Sequence, residues 1–224
     1  ELVTELGGPP HTYVVCDVSD PASVRKMAER VSELSPRVDI LVNNAGISTQ
    51  GSFLEGTPEG WEKVIRTNLL GAMWCSKELL PVLRAAARKG KTPVVVNVAS
   101  MAGRIPTPRS PDYAASKHGL VAFSEAIWEE LSTIHIRSMV VNPGFTQTDG
   151  FPMGRLLRNT STSWAVMGPK RVVSAMIRGI ERGSFEVRVQ WWMHPLYHAA
   201  VLGGPLRRVI AASLRKKMRG FGPL

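Results

Sequence analysis

Short apolar runs alternate along the chain with stretches whose apolar residues recur at helical spacing. His11-Thr-Tyr-Val-Val-Cys16 reads as a strand ending at Asp17. Val38-Asp-Ile-Leu-Val42, Pro93-Val-Val-Val-Asn-Val98, Ile136-Arg-Ser-Met-Val-Val141 and Phe185-Glu-Val-Arg-Val189 read as further strands. Between them lie helix starts in which proline follows a capping residue: Asp20-Pro21, Thr57-Pro58 and Ser110-Pro111. Val24, Met27, Val31 and Leu34, at spacings of 3, 4 and 3, mark one face of the first helix. The second is expected from about Trp61 to Arg88, the third up to about Ser132, and another over Lys170 to Glu181. Glu1 to Leu6 reads as the last turns of a helix stopped by Gly7-Gly8.

Continuous apolar strands alternating with amphipathic helices imply repeated βα units. They predict an α/β fold with a doubly wound parallel sheet. In such sheets the ligand crevice lies outside the carboxyl ends of the strands. The small and polar residues gather there: Asp17, Asn43 to Gly46, Ser100, and Pro143 to Thr148 each follow a strand directly.

Composition narrows the class. The 224 residues are 44% apolar and 21% charged, the profile of one soluble domain with no dividing linker. Cys16 and Cys75 fit neither a metal spacing nor a disulfide framework, so a reducing cytoplasm is expected. No apolar run reaches the roughly 18 residues of a membrane span. The net charge of +10 is uneven: residues 1–149 carry 15 Lys/Arg against 16 Asp/Glu, and residues 150–224 carry 13 against 2. That asymmetry points to a surface for phosphates, nucleic acid or anionic lipid.

The chemistry is concentrated at Tyr113-Ala-Ala-Ser-Lys117. Four residues apart near a helix start, the phenol and the ammonium share a face. A phenol of pKa about 10 exchanges protons poorly at neutral pH, and an adjacent cation is expected to lower that value. Ser100 follows the preceding strand and can donate a hydrogen bond to a substrate oxygen beside the phenol. These groups suit proton exchange at a carbonyl or alcohol oxygen, and a cofactor must supply the hydride. Each residue alone has a plainer reading. Asp17 reads equally as a turn cap, Asn44 and Gly46 as a β-turn, and Asn68 as a polar residue on a helix face. Ser100 reads as a strand-end cap, and Thr146 and Thr148 as loop hydroxyls.

Taken in order, these residues resemble the classical short-chain dehydrogenase/reductase family over residues 1 to about 190. The resemblance implies a Rossmann-like fold and catalysis by Asn68, Ser100, Tyr113 and Lys117. Tyr113 is the implied general acid/base, Lys117 lowers its pKa and holds the nicotinamide ribose, and Ser100 positions the substrate oxygen. Asn68 is implied to hold a water linking Lys117 to solvent. Asp17 and Val18 would contact adenine, and Asn44, Ala45 and Gly46 would run beside the adenosine ribose while Asn43 steadies the sheet. Pro143, Gly144, Thr146 and Thr148 would fix the nicotinamide. The cofactor is NAD or NADP, with the choice open. The substrate would be a small alcohol or ketone, held by Ser100 and Tyr113 with Phe151 and Met153 from the apolar stretch over residues 149–168. Met101, Ile105 and Trp164 are weaker candidates for the pocket wall.

The family's glycine-rich phosphate loop has no counterpart here. The expected sheet therefore lacks its first βαβ unit, roughly 40 residues, and the chain reads as a fragment or as a misassigned start. Residues 1–190 form the incomplete Rossmann-type domain. Residues 191–224 form its basic amphipathic C-terminal segment, either docking as an ordinary helix or making peripheral membrane contact through Trp191, Trp192 and its cations. No nucleic-acid motif accompanies the charge, and His194 and His198 lack the carboxylate a metal site needs. Family habit implies a homodimer or homotetramer. The rival from another class is a non-catalytic scaffold of the same fold. A dehydratase or epimerase is disfavoured because the chain ends too soon for a large substrate domain.

Overall fold

The computed structural model describes residues 11–49, 52–105, 107, 109–148, 163–190, 192, 194, 195 and 198. The elements in chain order are α1 (Pro21–Leu34), β1 (Ile40–Asn43), α2 (Pro58–Ile65), a π-helical turn (Arg66–Leu70), α3 (Gly71–Glu78) and α4 (Leu80–Ala87). There follow β2 (Val94–Val98), a 3-10 turn (Met101–Gly103), α5 (Pro111–Ser132) and β3 (Arg137–Asn142). A second 3-10 turn (Ser163–Ala165), α6 (Pro169–Arg182) and β4 (Glu186–Arg188) complete the list.

The strands form one parallel sheet in the order β1-β2-β3-β4. Alternation along the strands decides which helix each residue meets. Val95 points to α4, packing with Leu83 and Ile136, and Val140 meets Leu120 and Val121 of α5. Val94, Val96, Met139 and Val141 point the other way, onto Val172, Met176 and Ile180 of α6. Helices thus cover both faces, and β2 is buried on both, as a doubly wound sheet requires. Asp20 caps α1 as expected, its carboxylate accepting the N–H groups of Ala22 and Ser23.

Two expectations are corrected. The segment His11–Cys16 forms no strand, and Tyr13 and Val15 are 75% and 86% exposed. β composition needs a partner ladder, and among the described residues none runs beside this segment. On the same side of β1, Ile40 and Val42 stand in register with Val94 and Val96 but beyond the reach of α6, and both stay exposed. The helix expected from Trp61 to Arg88 is also not continuous. It is broken by the π turn, where the Gly71 N–H bonds to the Arg66 carbonyl five residues back. It breaks again at Leu79, because Pro81 has no N–H to continue the ladder.

A polar thread crosses this core and aligns the strand ends. Asn43 Nδ2 donates to Asn97 Oδ1 at 2.8 Å and to Ser76 Oγ at 3.0 Å. Asn97 Nδ2 donates in turn to Ser124 Oγ at 2.9 Å, joining β1, β2 and α5.

Candidate active site

Ser100 leaves β2 into the 3-10 turn and caps it, its Oγ accepting the Ala102 N–H at 3.2 Å. The turn is tied to the end of β3 by the Met101 N–H, which donates to the Pro143 carbonyl at 2.7 Å. So anchored, the Ser100 hydroxyl hydrogen-bonds the phenol of Tyr113 in the first turn of α5. One turn on, Lys117 lies with its ammonium 5.7 Å from the Tyr113 ring centroid, within cation–π range. Lys117 is 4% exposed, and its Nζ donates to the Val98 carbonyl at 2.8 Å.

The electrostatics differ from the expectation in one respect. Burial pushes the Tyr113 phenol up, and it is the Ser100 hydrogen bond that pulls it back. Burial also pushes Lys117 down to about 8. Burial therefore disfavours the charged form of both groups, and the phenol stays protonated at neutral pH.

Asn68 sits within the π turn and is 1% exposed. π turns inside α-helices cluster at functional sites because they aim a side chain that α geometry would turn elsewhere. Its Oδ1 accepts the Ile47 N–H at 2.8 Å, and its Nδ2 donates to the Ile47 carbonyl at 2.9 Å and to Ser116 Oγ at 3.0 Å. The loop Asn44-Ala45-Gly46 is exposed and passes over this corner. A Cβ on Gly46 would lie 3.5 Å from both Asn68 Oδ1 and Lys117 Nζ. Ser100, Tyr113, Lys117, Asn68 and Gly46 thus converge at the carboxyl ends of β1 and β2.

The remaining expected residues are more dispersed. Asp17 is exposed and accepts the N–H and hydroxyl of Ser19 at 2.9 and 2.7 Å, which hold its carboxyl below the usual range. Those contacts are those of a turn cap. Val18 rests on Gly71 at the head of α3, its carbonyl 2.7 Å from where a Cβ would be. Gly144 donates its N–H to Gln190 Oε1 at 2.6 Å. Thr146 donates to the Gly144 carbonyl at 3.2 Å and bridges to Met167, and Thr148 is exposed. Phe151 and Met153 lie outside the described residues. Ile105 is 1% exposed and belongs to the core rather than to a pocket wall, whereas Trp164 is 64% exposed.

Several site residues escaped the sequence reading. Ser116, fully buried, ties Asn68 to α5 by accepting from Asn68 Nδ2 at 3.0 Å, and itself donates to the Tyr113 carbonyl at 2.8 Å. Asp112, beside Tyr113, is held by the Thr49 hydroxyl at 2.6 Å. Both flank motifs already singled out, and a polar residue on the inward face of an otherwise apolar helix was the available signal.

The family model for short chain dehydrogenase matches residues 1–154. The chain belongs to the short-chain dehydrogenase/reductase family. Dehydrogenase/reductase SDR family member 7B of Xenopus laevis is 34% identical over 180 residues, covering 76% of this chain and 53% of that protein. A short-chain dehydrogenase/reductase of Burkholderia phymatum, solved with NAD, has the same fold. Its TM-score is 0.73 at 22% identity, covering 87% of this chain and 76% of that one. A Pseudomonas aeruginosa protein solved as an NADP active-site complex is 36% identical with a TM-score of 0.59, covering 66% of this chain and 58% of that one. The chain spans about half the length of the curated relatives it matches. Among the described residues of this family member, no helix is long and apolar enough to cross a membrane.

Proposed function

We propose that the protein to which this chain belongs is an NAD(P)-dependent oxidoreductase interconverting a secondary alcohol and a ketone, with Tyr113 as general acid/base. The observation that carries this reading is the phenol of Tyr113 hydrogen-bonded to Ser100 with the Lys117 ammonium 5.7 Å from its ring. The Gly46 corner, open on one side and edged by Lys117 Nζ and Asn68 Oδ1, fits the ribose end of a dinucleotide. Relatives solved with NAD or NADP favour the same cofactor class. Lys117, Tyr113 and the Asn44–Gly46 backbone would hold that end, with Pro143 to Thr148 at the nicotinamide and Asp17 and Val18 at the adenine. The cofactor, when bound, supplies or accepts the hydride.

The chain's own groups handle the proton. In reduction the Tyr113 O–H, kept protonated by burial, donates to the carbonyl oxygen as negative charge develops there. The Ser100 hydroxyl hydrogen-bonds the same oxygen and holds it against the phenol. The resulting phenolate is stabilised by Lys117, whose value near 8 lets it return a proton at close to neutral pH. In oxidation the sequence reverses. Asn68 acts on position, locking Ile47 and so the loop that carries Gly46.

Tyr113→Phe tests the reading. With a panel of alcohols and ketones, nicotinamide absorbance should show turnover falling by about a thousandfold, while cofactor affinity falls far less, because Lys117 and the Asn44–Gly46 backbone still hold the ribose end. Retained turnover in the variant removes Tyr113 from the mechanism.

A further inference from the structure

A groove of about 560 Å³ runs along the amino-terminal half of α6, on the face of the sheet opposite α5. None of Ser100, Tyr113, Lys117 or Asn68 lines it. Lys170, Arg171 and Arg178 do, without an acidic residue among the lining and without an ion pair of their own among the described residues. Two of these cations stand in the first turn of α6, which has no acidic residue and no side-chain cap. Cations at the positive end of a helix dipole repel it, and an anion seated there relieves both charges.

A second observation is independent of the helix. Gln190 lines the same groove, is 5% exposed, and uses its Oε1 on the Gly144 N–H. Its Nε2 is buried without a partner among the described residues. A buried amide donor left unpaired is costly and calls for an acceptor. The facing wall is aromatic: Trp164 and Trp192 meet edge to face with centroids 5.1 Å apart.

We propose that this groove binds a phosphate monoester carrying an apolar or aromatic body. The phosphate sits at the first turn of α6 between Lys170, Arg171 and Arg178, the body lies on the tryptophan pair, and Gln190 donates to a ligand oxygen. Three cations and a helix terminus match a dianion better than a single carboxylate charge. The groove also adjoins the segment after β3, since Met167 bridges to Thr146 and Gln190 holds Gly144. The assignment does not depend on the redox reading.

Calorimetric titration of the whole protein to which this chain belongs with phenyl phosphate tests it, with phenol as the uncharged control. Phenyl phosphate is expected to bind and phenol not. Lys170→Gln/Arg171→Gln should weaken binding by about tenfold or more with an unchanged circular dichroism spectrum, since both residues are exposed. Phosphatidylcholine vesicles with and without phosphatidic acid separate the sources. Sedimentation with the acidic vesicles alone, competed by phenyl phosphate, assigns the phosphate to a lipid headgroup, and phenyl phosphate binding without vesicle binding assigns it to a soluble ester. The proposal falls if neither probe binds, if phenol binds as well as its phosphate, or if the double variant binds like the parent.

Discussion

The side-chain amide of Asn68 closes on the backbone of Ile47 from both sides, taking its N–H at 2.8 Å and giving to its carbonyl at 2.9 Å. The pairing copies a strand ladder with one side chain, fixing the loop after β1 to the π turn. Asn68→Asp keeps the shape but turns an acceptor toward the Ile47 carbonyl and Ser116 Oγ. It should cost about 2–4 kcal/mol, read from urea unfolding, and should expose the Ile47 amide to hydrogen exchange. An unchanged exchange rate at Ile47 would contradict the clamp.

Ser100 carries two hydrogen bonds that one substitution removes. Ser100→Ala deletes the cap on Ala102, costing about 1 kcal/mol, and removes the hydrogen bond that lowers the Tyr113 phenol against burial. Spectrophotometric titration should find the Tyr113 step, identified by its loss in Tyr113→Phe, moved further upward. A downward or absent movement would mean the hydroxyl does not restrain the phenol.

Lys117 gives stability a pH dependence of unusual sign. It binds its proton less tightly folded, near 8, than unfolded, near 10.5. Between those values the unfolded chain holds the extra proton, so stability rises as pH climbs through the window. The penalty is fully present below it. Relative to Lys117→Met, the parent should gain on the order of 3 kcal/mol across this range, visible in urea midpoints on either side. Parallel curves would show that the ammonium is not desolvated.

Two glycines resist replacement for different reasons. A Cβ on Gly103 would sit 2.7 Å from the Lys117 carbonyl, and that oxygen is α5 backbone that cannot swing aside. Gly103→Ala should cost about 3 kcal/mol and shift the Lys117 amide resonance. Gly90 has open space but a φ of +75°, so Gly90→Ala should cost only about 1 kcal/mol and leave that resonance alone. Equal effects from both would point to backbone conformation as the common cause.

The sheet and its helices were legible in the sequence where one residue pattern admitted one partner. The run at Val94 and the Ser110-Pro111 start led to β2 and α5 within a residue or so. Legibility failed where the outcome depended on distant neighbours. His11–Cys16 has strand composition but no ladder, and an extra residue in the turn around Asn68 leaves no mark in apolar periodicity. At the site, the order of Asn68, Ser100, Tyr113 and Lys117 pointed to one corner. Ser116 and Gln190 did not stand out, because what distinguishes them is burial, and a hydroxyl or amide reads alike wet or dry.

The π turn also keeps the phase of everything after it. One residue more than an α-helical turn needs would, in unbroken α geometry, advance the rest of the helix by roughly 100°. Ala72 and Cys75, in the helix that follows, are buried. Excising a single residue from 66–70 would restore regular α geometry and leave the phase of those two side chains unchanged, but it would remove the bulge that aims Asn68. Here the local irregularity is the registration mark that lets one helix serve the Ser100–Lys117 corner and a hydrophobic seam at once.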